Sequence, residues 1–360
     1  MDEQEPHRTE TEEDLTRTTE RDLPEIAEIA GDERSARVVL AMGCEPGDEL
    51  APQLVSTYGA VELVQRIADG SLQHESQRLA RWRQDLVSRL DLAEVSRVLL
   101  RTEVLGLGTL IPGEPGWPML AGDPSTHPLV LWTRGDASHL TSSAPRVAVV
   151  GARIPTAYGR DVARTLGVDL ADRGVTVLGA GWPGIDATVF RGAAVGGGPA
   201  IAVLPAGLDR RTYPTGEAAL FRSTVSHGGV QVTACPPGRP SSRARAQARN
   251  RLVAALADAL VVTEAAYRCP AIKVAQHAVR LGILVGAVPG PITSITSTGS
   301  NELLHARVAR IITHATDAMN LITAPRPATS AAAGRSSGHR LVPPRPGTDG
   351  PPLPPPLIPL

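Results

Sequence analysis

Lysine is almost missing: Lys273 is the only one in 360 residues, and arginine supplies the other basic side chains. That bias reflects the coding sequence rather than function. Aromatics make up 3% of the chain, so any core must be built from Ala, Val, Leu and Ile; a hydrophobic share of 42% allows one of good size. Cys44, Cys235 and Cys269 form neither a metal-ligand spacing nor an even disulfide set. Reduced thiols in a cytoplasmic protein are expected, with no metal and no cofactor. No apolar run approaches the roughly 18 residues that cross a bilayer, so no membrane association is expected. The acidic start does not resemble a signal peptide. The net charge is −1, so nucleic acid would have to be met by a local basic patch and not by a global field.

Five segments follow one another. Residues 1–33 are rich in Asp, Glu and Thr and read as a disordered acidic tail. Over 34–105, Val38, Leu40 and Met42, then Leu54 and Val55, then Leu63, Val64 and Ile67 recur at helical spacings, predicting a small helical domain. Residues 106–145 are crowded with Pro, Gly and short apolar runs and read as a connecting segment with one or two strands. From 146 to 320 the rhythm becomes strand, loop, helix. Strands are predicted at Val147–Val150, Val175–Leu178, Ala200–Leu204, Val230–Ala234, Ala259–Thr263, Ile283–Val288 and Arg310–Thr313. Helices are predicted at Gly159–Asp172, Ile185–Val195, Ala246–Leu256 and Ala271–Leu281. Continuous apolar strands alternating with helices imply an α/β fold with a mostly parallel, doubly wound, Rossmann-like sheet. Residues 324–360 are Ala, Ser, Gly and Pro and read as a disordered Pro-rich tail.

Ligands of such sheets bind beyond the carboxyl ends of the strands, so the loops there carry the chemistry. The first loop holds Gly151 and Arg153: a glycine lets backbone approach a phosphate, and the arginine supplies charge. The second, Gly179-Ala-Gly181-Trp-Pro-Gly184-Ile-Asp186, fits G-x-G-x-x-G. It follows the second strand, however, and the next strand ends in Pro205-Ala-Gly207, where a dinucleotide site would place an acid. A phosphate cradle at the helix N-terminus is expected instead, with Asp186 complementing the dipole. The third feature is a run holding Arg239, Arg243, Arg245, Arg249 and Arg251, with no acid between Glu217 and Asp258. These read as a patch without counter-charge, suited to phosphates and to stacking on bases. Glu264 ends a strand and can accept a hydrogen bond or cap a helix. Gly290, in Val288-Pro-Gly-Pro291, is expected for its backbone angle. No nucleophile–base pair or triad histidine accompanies these loops, so no enzyme is expected.

Taken in order, Val147-Ala-Val-Val-Gly-Ala-Arg153, Tyr158-Gly159, Gly184-Ile-Asp186, Gly207-Leu-Asp209, Tyr213-Pro214, Arg249-Asn250-Arg251, Glu264-Ala-Ala266, and Val288-Pro-Gly-Pro291 with Asn301 resemble the DprA/Smf family of DNA-processing proteins. Trp117-Pro118 and Arg134-Gly135 fit its lead-in. The resemblance runs from about Arg34 to Asp317. It implies an extended Rossmann-like fold preceded by a SAM-like or helix-hairpin-helix-like part. It further implies a homodimer, single-stranded DNA as ligand, and delivery of that strand to the RecA recombinase in DNA uptake and natural transformation. The DNA-contacting positions implied are Gly151, Arg153, Gly181, Gly184, Asp186, Arg243, Arg245, Arg249, Asn250, Arg251, Glu264 and Gly290.

The departures from the family pattern fall mainly in the second loop. Gly179 stands where the family has serine, Pro183 where it has arginine, and Phe190 where it has histidine. Ala246-Gln247 replaces a Phe-Pro, Cys269-Pro270-Ala271 replaces a Ser-Gly-Ser, and the Pro-rich tail stands in place of a winged-helix module. A diverged nucleotide-ligand sensor and a phosphoribohydrolase-type enzyme are therefore the competing readings. Against the enzyme, no Pro-Gly-Gly-x-Gly-Thr loop with a following glutamate is present.

Overall fold

The computed structural model describes residues 12–209 and 218–325, with side chains for 20–209 and 219–325. The Pro-rich tail beyond 325 and Tyr213-Pro214 lie outside the described residues. The chain opens with six helices: α1 (Glu12–Ile29), α2 (Glu33–Gly43), α3 (Leu50–Tyr58), α4 (Ala60–Ala68), α5 (Gln77–Val87) and α6 (Leu92–Val104). Two short strands follow, β1 (Gly108–Leu110) and β2 (Leu131–Gly135). The alternating part is β3 (Arg146–Val150), α7 (Ala157–Asp172), β4 (Thr176–Gly179), α8 (Ile185–Val195), β5 (Ala200–Val203), α9 (Ala218–Ser226) and β6 (Val230–Thr233). It continues through α10 (Arg243–Leu256), β7 (Ala259–Val262), α11 (Pro270–Arg280), β8 (Leu284–Ala287), α12 (Thr298–His305), β9 (Arg310–Ile311) and α13 (Ala315–Thr323).

Among the described residues the strands form one sheet in the order β1-β2-β6-β5-β4-β3-β7-β8-β9. From β6 to β9 every pairing is parallel, and β1 and β2 extend the β6 edge antiparallel. The chain runs outward from β3 to β6 and then returns to place β7 on the other side of β3. The β3/β7 seam is therefore the switch point of the sheet, where ligands of doubly wound folds bind. Successive strand residues point to opposite faces. Val147 and Val149 accordingly join the core beneath α7 and α8, and Ala148 and Val150 the one beneath α10 and α11. The aliphatic composition is met by this two-sided burial, with Trp132 the largest fully buried side chain.

Two expectations change. The acidic segment through residue 33 is not a tail over its second half. Leu23, Ile26 and Ala27 of α1, with Ala30 just past its end, are buried at i, i+3, i+4 and i+7 spacing. One apolar stripe outweighs the acids on the other faces. The helical part also has no core of its own, since its buried residues are continuous with one face of the sheet. Ile26→Ala is thus expected to cost about 2–3 kcal/mol, lowering the melting temperature of the whole protein in one transition by roughly 5–10 °C. An unchanged melting temperature would show that α1 adds nothing to the core.

Among the described residues no helix is long and apolar enough to cross a membrane, and no His, Cys, Asp or Glu group is arranged to hold a metal ion. The three cysteines are unpaired.

Candidate functional site

At the β3/β7 seam the loops after β3 and β4 meet the start of α10. Gly184 begins α8 with φ 93° and ψ −126°, a region open essentially to glycine alone. A Cβ there would also lie 2.3 Å from the carbonyl of Ala152. This close approach brings Gly151, Arg153, Ala180, Trp182 and Asp186 to one wall of a cleft, while Gly181 and Gly184 belong to the same turn without lining it. Arg249 and Asn250 of α10 close the second wall, and Pro270, Ala271 and Val274 of α11 the third.

The amides at the start of α8 are already used: Ile185 N donates to Ala152 O at 3.1 Å, and Asp186 turns inward to accept from Ala180 N at 2.8 Å. The expected phosphate cradle at this helix N-terminus is therefore closed. Charge comes from side chains instead. Arg249 is 4% exposed, its Nη1 donates to Ala180 O at 3.2 Å, and its Nε is buried without a partner. Among the described residues no carboxylate lies within 4.0 Å of it. Burial holds its guanidinium below the usual value, partly offset by the charge of Asp186. Burial likewise pushes the Asp186 carboxyl up to about 6, against the pull of Arg249 and of the surrounding amides. A buried cation with neither ion pair nor full hydrogen bonding is costly, and an entering anion would relieve it.

Trp182 completes the cleft, although its signal was only that of an aromatic in a chain poor in them. The Arg153 guanidinium stacks 3.8 Å from the centre of its ring, and that of Arg249 lies at 5.4 Å. Its Nε1 is buried without a partner. The exposed Arg153 thus keeps its N–H edge free while its flat face is held against the indole. Two of the sequence departures are also neighbours: a Cβ on Gly179 would lie 3.3 Å from the Phe190 ring. The larger ring occupies space that the missing side chain leaves.

Other expected site residues lie elsewhere. Arg245 is paired with Glu45 at 2.7 Å, so the basic run has a counter-charge, supplied from 200 positions away. Arg239 reaches the carbonyl of Met42. Arg243 is exposed on the first turn of α10. Arg251 is exposed on a different face from Arg249, against Gly47. Glu264 is 2% exposed and accepts from Thr156 N at 2.9 Å, Thr156 Oγ1 at 3.0 Å and Thr296 Oγ1. It is a strut tying β7 to the start of α7 and to the 289–297 loop, with no group left for a ligand. Gly290 does not have positive φ; a Cβ there would sit 2.2 Å from Ser297 Oγ, and the Asn301 amide brackets its N–H and carbonyl at 3.0 Å each. It is a glycine for space, not for angle.

The family model described as DNA recombination-mediator protein A matches residues 108–323. A putative DNA processing protein DprA of Mycobacterium tuberculosis is 38% identical over 295 residues, covering 79% of this chain and 73% of the relative. The chain belongs to the DNA recombination-mediator protein A family. Protein Smf of Escherichia coli is 34% identical over 178 residues, covering 49% of this chain and 47% of its own length. The fold matches the X-ray structure of Streptococcus pneumoniae DNA processing protein A with a TM-score of 0.62 at 22% identity, over 82% of this chain and 96% of that one. It also matches DNA processing protein A from Helicobacter pylori, described for its single-stranded DNA binding mode. That match has a TM-score of 0.52 at 26% identity, over 59% of this chain and 94% of the other. The matched region of the family contains every wall of the cleft.

The Asp186–Arg249 arrangement makes the cleft sensitive to pH. Because the folded carboxyl titrates near 6 and the unfolded one near 3.8, its contribution to stability is present below about 4 and is lost as pH rises through 6. Protonation also removes the one negative charge beside Arg249. Anion binding at the cleft is therefore expected to tighten roughly three- to tenfold as pH falls from about 7.5 to about 5.5. Asp186→Asn should abolish that dependence in titrations at matched ionic strength. A profile that survives in the variant would assign it to another group.

Proposed function

We propose that the cleft holds the backbone of single-stranded DNA, with a phosphate between Arg153 and Arg249 and a base against Trp182. The observation that carries this reading is the buried, unpaired guanidinium of Arg249 beside an indole stacked on a second arginine. Cations track the phosphates, and an aromatic face accepts any base, which is the pattern of binding without sequence preference. Membership of a recombination-mediator family and the likeness to the Helicobacter pylori protein support DNA over a small nucleotide. Delivery of the strand to the RecA recombinase in natural transformation, and action as a cytoplasmic homodimer, rest on family membership. So does a binding role in place of catalysis.

The test is titration of a labelled oligonucleotide at several salt concentrations. Single-strand contacts each contribute a slope of about −0.7 in log K against log salt. Arg153→Ala is expected to flatten the slope by about that amount and to weaken binding by ~1–2 kcal/mol. Because Arg153 is exposed, the melting temperature should hold. Saturable binding of a mononucleotide that displaces the strand from the cleft would instead favour the ligand-sensor reading.

A further inference from the structure

A second recess lies away from this cleft. It opens where α10 and α11 meet the turn between α2 and α3 and the 120–128 segment of the lead-in. Its floor is apolar, with Leu120, Leu252 and Leu281. One wall carries Arg251 of α10 and Arg280 of α11, both exposed, and neither has a carboxylate within 4.0 Å among the described residues. His277 lies between α11 and this wall, its Nδ1 facing the Arg280 guanidinium at 2.5 Å. Burial and the surrounding cations Arg280, Arg251 and Lys273 push its pKa down to about 4, so it is neutral at physiological pH. The opposite side carries Asp48 and Glu49. Asp48 is engaged by the Leu50 and Ala51 amides at 2.8 and 2.9 Å and by the Trp82 indole at 3.0 Å. At the rim, His127 Nε2 is buried with no partner.

We propose that this recess is a second nucleotide-binding site, in which the apolar floor takes one base and Arg251 and Arg280 take its phosphate. The asymmetry of the walls sets the direction. Phosphate belongs with the two guanidinium groups, whose fork geometry suits it. The amino edge of a base faces Glu49, and a ring substituent can satisfy the orphaned His127 nitrogen.

The placement relates this site to the first one, and here the inference rests on the single-stranded DNA reading. Both recesses are built on the same two helices. On α11, Pro270, Ala271 and Val274 line the cleft, and His277, Arg280 and Leu281 line the recess. On α10, Arg249 and Asn250 face the cleft, and Ala248, Arg251 and Leu252 the recess. From Ala271 to Arg280 the helix rises about 13 Å at 1.5 Å per residue. That distance is spanned by roughly four stacked nucleotides at 3.4 Å each. Lys273, exposed on α11, follows Ala271 of the cleft and precedes His277 of the recess along the helix. One strand can therefore leave the cleft, pass Lys273 and place a later nucleotide in the recess.

The experiment is a length series of oligodeoxyadenylates and, separately, free dAMP, titrated into the full chain and into Arg280→Glu, with Arg251→Glu as a second exposed variant. If the strand fills the recess, Arg280→Glu weakens long oligonucleotides about tenfold and leaves those too short to leave the cleft unchanged. If a free nucleotide fills it, dAMP binds the wild type saturably, Arg280→Glu removes that binding, and all oligonucleotides bind as before. Oligonucleotides that bind both proteins alike at every length, with no saturable dAMP binding, overturn the proposal. Failure of the cleft reading looks different: the wild type then binds no oligonucleotide, and the dAMP arm alone decides.

Discussion

Arg249→Met is expected to weaken single-stranded DNA binding by about 2–3 kcal/mol, roughly 30- to 150-fold, while leaving the fold as stable as before or more so. The two signs come from one fact. Arg249 is 4% exposed and has a buried Nε with no partner, so the empty protein carries a cation only partly compensated by Asp186. A buried charge without a full set of partners is costly, so an apolar side chain of similar volume removes that cost, while Asp186, already raised to about 6, takes up a proton and leaves no charge behind. In the complex the same charge makes a charge-assisted contact that Met cannot make. Binding and thermal unfolding measured on the same preparation separate the outcomes. If the variant melts earlier and still binds the strand as the wild type does, Arg249 is a brace for Ala180 and the phosphate site lies elsewhere.

Gly184→Ala is expected to damage fold and site together. Its φ of 93° with ψ of −126° costs a side chain about 1–3 kcal/mol. The added Cβ would also meet the Ala152 carbonyl at 2.3 Å and the Arg153 carbonyl at 2.5 Å. Both are backbone atoms, so relief requires moving the first loop, which adds a similar amount by overpacking. The total is roughly 2–6 kcal/mol, a fall of about 4–24 °C in melting temperature. Because the atoms that must move belong to the loop carrying Arg153, the surviving folded fraction should also bind DNA less tightly. Calorimetry showing a loss under about 1 kcal/mol would mean that the loop after β3 is soft enough to yield.

The sequence made the sheet legible where strands are buried on both faces. Apolar runs such as Val147–Val150 and Ala259–Val262 admit no other placement, and α8 falls over Ile185–Val195 as the pattern predicts. It was less legible where composition and periodicity disagree. The acids of residues 12–29 mask a stripe of Leu23, Ile26, Ala27 and Ala30 that was readable at helical spacing. Within the candidate site, the loops after β3 and β4 were found because topology dictates where ligands bind. The state of each charge was not readable. Arg245 is neutralised by Glu45, a partner two hundred residues away, and adjacent members of Arg249-Asn250-Arg251 face two different recesses because a helix turns about 100° per residue. Gly290 shows the same limit, since the crowding by Ser297 that requires it is set by a loop seven residues on.

The single lysine has a practical consequence. Lys273 is exposed on α11, the helix that lines both recesses, and no other side chain in the 360 residues carries a primary amine. Peptide mapping after reaction with an amine-selective reagent separates the ε-amine of Lys273 from the terminal amino group. The rate at which the ε-amine is then acylated becomes a one-position footprint. A strand lying along α11 shields it and slows labelling in proportion to occupancy. A ligand confined to either recess leaves it open.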